Sequence, residues 1–187
     1  MDLPGHPDRL TMSWPGHAVL QIPVPPLDGF VRGRYVHYDP SLLGTSELPG
    51  VGFVHAHVTV LGPFDQPPEP ATVAGLVARM PAVDAHCRGV AVFPNGIIHC
   101  PAEPASAFTG LTALARESFP DVEPYRGQFG VEPHVTLDAI GPGVSVATVT
   151  EQLGGLLPVA FRADRLDLVW YETARTRLLG SWPLAGG

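Results

Sequence analysis

"HAHVTV", residues 55–60, sets two histidines and a threonine on alternate positions of an otherwise apolar run. Alternate residues of a β-strand share a face. A strand over 51–62 therefore places His55, His57 and Thr59 on one side and the intervening Ala56, Val58 and Val60 on the other. Packing alone calls for no such polar face. The pattern also recurs, because "PHVTL" at 133–137 repeats His-Val-Thr 77 residues after the first copy. Aligning His57 with His134 aligns Val54 with Val131, Val58 with Val135, Thr59 with Thr136 and Val60 with Leu137.

Around these two strands the chain alternates between strand and helix signals. Strands are expected at 17–24, 134–140, 164–172 and 177–184, and a hairpin over 86–103 turning at Asn95-Gly96. Helical spacing marks 27–39, 70–80, 104–119 and 145–157. Strands joined by hairpins and interleaved with helices predict an α+β fold with mainly antiparallel sheet. Residues 1–16, rich in proline, glycine and charge, read as a loose lead-in, and 17–187 as a single domain. A globule of this size buries roughly 70% of its unfolded surface, enough to fold without metal or disulfides.

Composition excludes several functions. A net charge of −7 argues against gripping long nucleic acid through many phosphates. It leaves room for a small nucleotide or an RNA end, which needs only a few local cations. All eleven basic residues are arginines, which removes lysyl-adenylate ligation, Schiff-base catalysis and the P-loop lysine. Cys87 and Cys100 lack metal-type spacing and fit a reducing, cytoplasmic setting. The sequence shows no signal peptide and no apolar run of membrane-spanning length. A monomer is expected.

Paired His-x-Thr strands suit displacement at phosphorus, where entering and leaving oxygens lie roughly in line on opposite sides. One histidine takes a proton from the nucleophile while the other protonates the leaving oxygen. Two threonine hydroxyls can donate to the non-bridging oxygens, and no metal or other cofactor is required. His55, on the same expected strand face, either contacts substrate at the rim or tunes His57. A rival assignment uses the His-x-His spacing of His55 and His57, with His134, to bind zinc or iron. It leaves both threonines without a role. A second rival is a nucleotide-binding module that does no chemistry.

With "HVTVLGPF" as the first motif and "PHVTL" as the second, the sequence resembles the 2H phosphoesterase superfamily. Within it, the bacterial 2′-5′ RNA ligase-like or cyclic phosphodiesterase branch is the closest. The resemblance implies a bilobal α+β fold, with two pseudo-symmetric sheet lobes and outer helices around a central cleft. It also implies metal-independent opening of 2′,3′-cyclic phosphates or cleavage of 2′-5′ linkages. His57 and His134 would be the acid and base, and Thr59 and Thr136 the phosphate-holding residues. Many relatives place a cation soon after the second motif, whereas Asp138 and Ala139 stand here. Arg126, on the loop leading into that motif, is a candidate replacement, and Arg32 and Arg34 are further ones. Phe64 and Phe129 flank the motifs and could stack a base, and Tyr171 is the late-strand residue expected to face the cleft.

Overall fold

Strand β1 (His17–Pro23) is apolar along nearly its whole length and fully buried beyond its first residue. The computed structural model of the protein describes residues 16–128 and 130–186. All but the last residue of the expected lead-in, and Phe129, lie outside them. Pro25 and Pro26, which stop β1, also open helix α1 (Pro25–Tyr38). Proline suits the first helical turn, where its missing N–H has no intrahelical partner anyway. The helix thus starts two residues earlier than its apolar spacing indicates, and its Leu27 and Val31 enter the core.

The remaining strands are β2 (Thr45–Ser46), β3 (His57–Phe64), β4 (Val83–Cys87), β5 (Ala91–Val92), β6 (Ile97–Pro101), β7 (His134–Ala139), β8 (Val159–Ala163), β9 (Arg165–Tyr171) and β10 (Arg177–Pro183). Between them run α2 (Pro70–Val77), α3 (Ala105–Ser118) and α4 (Val146–Leu153). Eight strands form one sheet in the order β2-β10-β9-β1-β3-β7-β6-β5, and β4 and β8 form a second, two-stranded one. Every pairing is antiparallel except β2 with β10. The architecture is the α+β class expected from the sequence.

One local expectation holds and another is corrected. The hairpin turning at Asn95-Gly96 forms, with Gly96 at φ +86° and the Asn95 side chain accepting the Ile97 N–H. Its inner arms are β5 and β6, and its ends close too, with His86 and Glu103 exchanging backbone hydrogen bonds at 2.9 and 3.0 Å while β4 pairs with β8. The strand expected from residue 51 begins only at His57. Ahead of it, the N–H groups of His55 and Ala56 bond to the Asp28 carboxylate of α1, at 2.5 and 3.3 Å, rather than to a neighbouring strand. His55 therefore lies outside the alternation that governs His57 and Thr59.

The valine face of the motif strands is the core face. Val58 and Val135 are both fully buried, within a cluster that includes Phe108 and Leu111 of α3. Thr112 of the same helix donates to the Val60 carbonyl at 2.9 Å. With their valines committed to the core, β3 and β7 direct their histidines and threonines to the opposite face.

Because Asp28 supplies the partner for two backbone N–H groups, Asp28→Ala is expected to destabilise the fold by about 2 kcal/mol. Urea denaturation measures this, and an unchanged midpoint would mean that the 55–56 segment is held by other contacts.

Candidate active site

The site follows from one pairing. Strands β3 and β7 run antiparallel with Val58 opposite Val135. This register sets His57 beside Thr136 and Thr59 beside His134. Directly paired side chains in such a ladder stand about 5 Å apart, and diagonal ones about 7–8 Å. The four polar residues thus form a square, with the histidines on one diagonal and the threonines on the other. A tetrahedral phosphate group placed at its centre would have an imidazole on each of two opposite sides.

Both imidazoles are oriented by the same local contact. His57 Nδ1 lies 2.8 Å from the His55 carbonyl, and His134 Nδ1 lies 2.6 Å from the Glu132 carbonyl. A carbonyl only accepts, so in each ring Nδ1 carries the proton and donates it. Nε2 is left as the basic atom of the neutral ring. Around His57 a second support comes from Tyr171, whose hydroxyl is 3.4 Å from Nδ1 and donates to Gln21 Oε1 at 2.7 Å. Burial is the main cause holding His57 well below the ordinary histidine value, at about 4, with the charges of His134 and His55 acting in the same direction. Burial also lowers His134, partly opposed by the Glu132 carbonyl and by the charge of Glu132.

A cleft of about 750 Å³ opens beside the second motif, lined by Phe93, Ile97, Tyr125, Glu132, His134 and Thr136 among others. Tyr125 belongs to the 124–127 turn that packs against β3, and Thr59 offsets part of the rise that burial causes in its phenol. Tyr125 and Arg126 both sit at positive φ, 52° and 54°. Such a backbone costs non-glycine residues on the order of 1 kcal/mol or more each, and strain of this kind concentrates at functional sites.

The other sequence candidates fall in different places. Arg126 is exposed and paired with Asp65 at 2.9 Å. Arg34 is bound to buried Asp138, which also accepts from the Tyr38 hydroxyl at 2.8 Å. The register steps from Thr136 opposite His99 to Asp138 opposite Ile98, so Leu137 is an extra residue that turns Asp138 toward the side of the fully buried Ile98. Phe64 is a core residue rather than a stacking platform, 6% exposed and edge-on to Phe119 at 5.2 Å.

His55 is corrected as well. It is 3% exposed, its Nε2 accepts the Gly44 N–H at 3.1 Å, and its ring packs against Phe53 and Tyr35. It lines a small cavity with Tyr35, Phe53 and Tyr171 instead of the cleft beside the second motif, and its ring is engaged away from His57 and His134. Among the described residues, no group of three or more His, Cys, Asp or Glu is arranged to hold a metal ion. His55 instead serves His57 through its backbone carbonyl.

Sequence reasoning missed Gln21, Asp28, Phe93, His99 and Tyr125 around the site. His99 on β6 is 2% exposed and pairs across from Thr136. Alternation within "IIHCP" marks a strand, but only the strand order reveals that this strand adjoins the second motif.

Comparison with known proteins gives the family and the fold of the chain. Residues 31–175, more than half of the chain, match the 2′-5′ RNA ligase superfamily. The chain belongs to that superfamily. Escherichia coli LigT complexed with 3′-AMP is similar in fold, with a TM-score of 0.55 at 15% identity over 91% of this chain and 99% of that one. TT0787 of Thermus thermophilus matches with a TM-score of 0.55 at 18% identity, over 91% and 98% of the two chains. LigT complexed with ATP gives a TM-score of 0.53 at 15% identity, over 91% and 98%. No curated protein matches the chain. No helix among the described residues is long and apolar enough to cross a membrane.

The depressed His57 value has a consequence for stability. Between its ordinary value of about 6.5 and about 4, the unfolded chain binds a proton that the folded ring refuses. Stability contributed by the neutral ring is therefore complete above pH 6.5 and falls as the pH is lowered through this window. The urea midpoint is expected to drop less between about pH 7 and about pH 5 in His57→Gln than in the natural protein. An identical drop in both would show that His57 titrates normally.

Proposed function

We propose that the protein is a metal-independent phosphoesterase that opens a 2′,3′-cyclic phosphate, or cleaves a 2′-5′ phosphodiester, in a small nucleotide or an RNA end. The observation that carries this reading is the antiparallel pairing of His57-Val58-Thr59 with His134-Val135-Thr136 about Val58 and Val135. Membership of the 2′-5′ RNA ligase superfamily supports the reaction class. The LigT structures holding 3′-AMP and ATP support a small nucleotide as ligand.

In this mechanism the phosphate occupies the centre of the square, and the hydroxyls of Thr59 and Thr136 donate to its non-bridging oxygens. His57, deprotonated at neutral pH, takes a proton from water at Nε2 as the water oxygen bonds to phosphorus. The bond from phosphorus to one ribose oxygen breaks, and His134, which must enter the step protonated on both ring nitrogens, delivers its Nε2 proton to that oxygen. Assigning His134 as the acid rests on Glu132, whose charge and carbonyl both favour the protonated ring. His57 has only its single carbonyl partner on that side of the balance. Tyr171, Gln21 and the His55 carbonyl hold the base in place.

Arg126 is the candidate cation. Its ion pair with Asp65 is exposed on both sides, and exposed pairs of this kind are worth at most about 1 kcal/mol. The guanidinium can therefore exchange Asp65 for a phosphate oxygen at little cost. The chemistry is complete with protein side chains, so a chelator has nothing essential to remove.

Turnover of 2′,3′-cyclic AMP and of a 2′-5′ dinucleotide, with a 3′-5′ dinucleotide as control, tests the reading. His57→Ala and His134→Ala are each expected to lower kcat about 1,000-fold, and Thr59→Ala and Thr136→Ala about 100-fold. EDTA should leave the natural protein unchanged. Near-normal turnover in either histidine variant would contradict the two-histidine mechanism, and ligand binding without turnover in the natural protein would favour a non-catalytic module.

A further inference from the structure

His99 is a third histidine built in the same way as the two motif histidines. Its Nδ1 faces the carbonyl of Ile97, two residues earlier, at 3.5 Å. His57 and His134 each use the carbonyl of the residue two before them, at shorter distance. Register sets His99 beside Thr136, so β3, β7 and β6 carry the row His57, Thr136, His99 on one face.

The His99 ring stacks on Phe93 with centroids 3.7 Å apart and planes at 11°. It also meets the His134 ring at 5.3 Å and 71°. Phe93 in turn packs edge-on to His134 at 4.9 Å. The three rings form a closed cluster, with His134 as the member that lines the cleft beside Phe93. Inside it, His99 Nε2 is buried and makes no hydrogen bond. Leaving a buried ring nitrogen unpaired is unfavourable, and a phenylalanine could fill the same slot without that penalty. Packing alone therefore does not explain a histidine here.

We propose that His99 is a positioning residue for His134, holding its imidazole edge-on at the cleft and acting on it through charge. The inference rests on the function assigned to His134 above. Two adjacent rings cannot both carry a proton without like-charge repulsion. A proton on either ring opposes one on the other, which favours release of the His134 proton during the reaction. The ionisable groups around the pair are Glu132, next to β7, and His57, across β3. Tyr125, which lines the same cleft, is the further ionisable group, while Phe93 and Thr136 carry no charge. The direction agrees with burial and His99 both lowering His134.

The test is an NMR titration of the His134 ring in the natural protein and in His99→Phe, which keeps a ring in the slot but removes both nitrogens. The expected result is that His134 titrates at higher pH in the variant, with the limb of the pH–kcat profile belonging to His134 moving the same way. With 2′,3′-cyclic AMP at neutral pH, kcat should change several-fold while KM stays within about twofold. An unchanged His134 titration overturns the proposal and leaves His99 as core packing. The titration needs no turnover, so it still decides the matter if His134→Ala proves active and the catalytic reading itself fails. His99→Gln is the second variant if His99→Phe does not fold, and the same titration outcomes apply to it.

Discussion

The pairing of Val58 with Val135 is the contact on which the rest of the arrangement depends. It joins the two halves of the eight-stranded sheet, β2-β10-β9-β1-β3 on one side and β7-β6-β5 on the other. Antiparallel pairing has local twofold symmetry, so identical His-Val-Thr segments centred on one pair generate a symmetric square of functional groups. The two valines are held by the core, which fixes the face on which the square opens. A slip of one residue would send one motif to the core face. The same apolar burial that stabilises the sheet therefore sets the geometry of the site.

Around the square, backbone groups do much of the orienting. Carbonyls of residues 55, 132 and 97 each meet Nδ1 of the histidine two positions on. In the two motif histidines this fixes the tautomer with a group that cannot be protonated away. The carbonyl of His55 is in turn held in place by Asp28, which bonds the adjacent N–H groups from α1. The opening of α1 just after β1 is thereby coupled to the ring of His57. The chain directs its arginine beside the second motif, Arg34, to buried Asp138, which is why the phosphate-binding cation is sought in Arg126 instead.

The α+β class, most of the elements and the recurrence of a polar-faced strand are legible in the sequence because they depend on local periodicity, whereas the pairing of the two motif strands in one sheet is not. "HVTV" and "HVTL" carry both the alternation and the chemistry within a few residues. What escapes a sequence reading depends on non-local register. His55 resembles part of the first motif if the strand is extended to residue 51, but Asp28, distant in sequence, takes over the backbone there. His99 looks isolated because nothing local to "IIHCP" tells that β6 lies against β7. Phe64 sits next to the first motif in sequence, yet it falls on the even-numbered face of β3 with Val58 and Val60 and packs edge-on to Phe119 in the core. Sequence proximity to a motif is a poorer guide than strand adjacency.

A crystal structure with bound inorganic phosphate or 3′-AMP tests the central claim most directly. The account predicts one phosphate group at the centre of the square, with the Thr59 and Thr136 hydroxyls both within hydrogen-bonding distance of its oxygens. The Nε2 atoms of His57 and His134 should approach it from opposite sides. A phosphate held by only one motif, or seated away from both, would contradict the symmetric two-strand site.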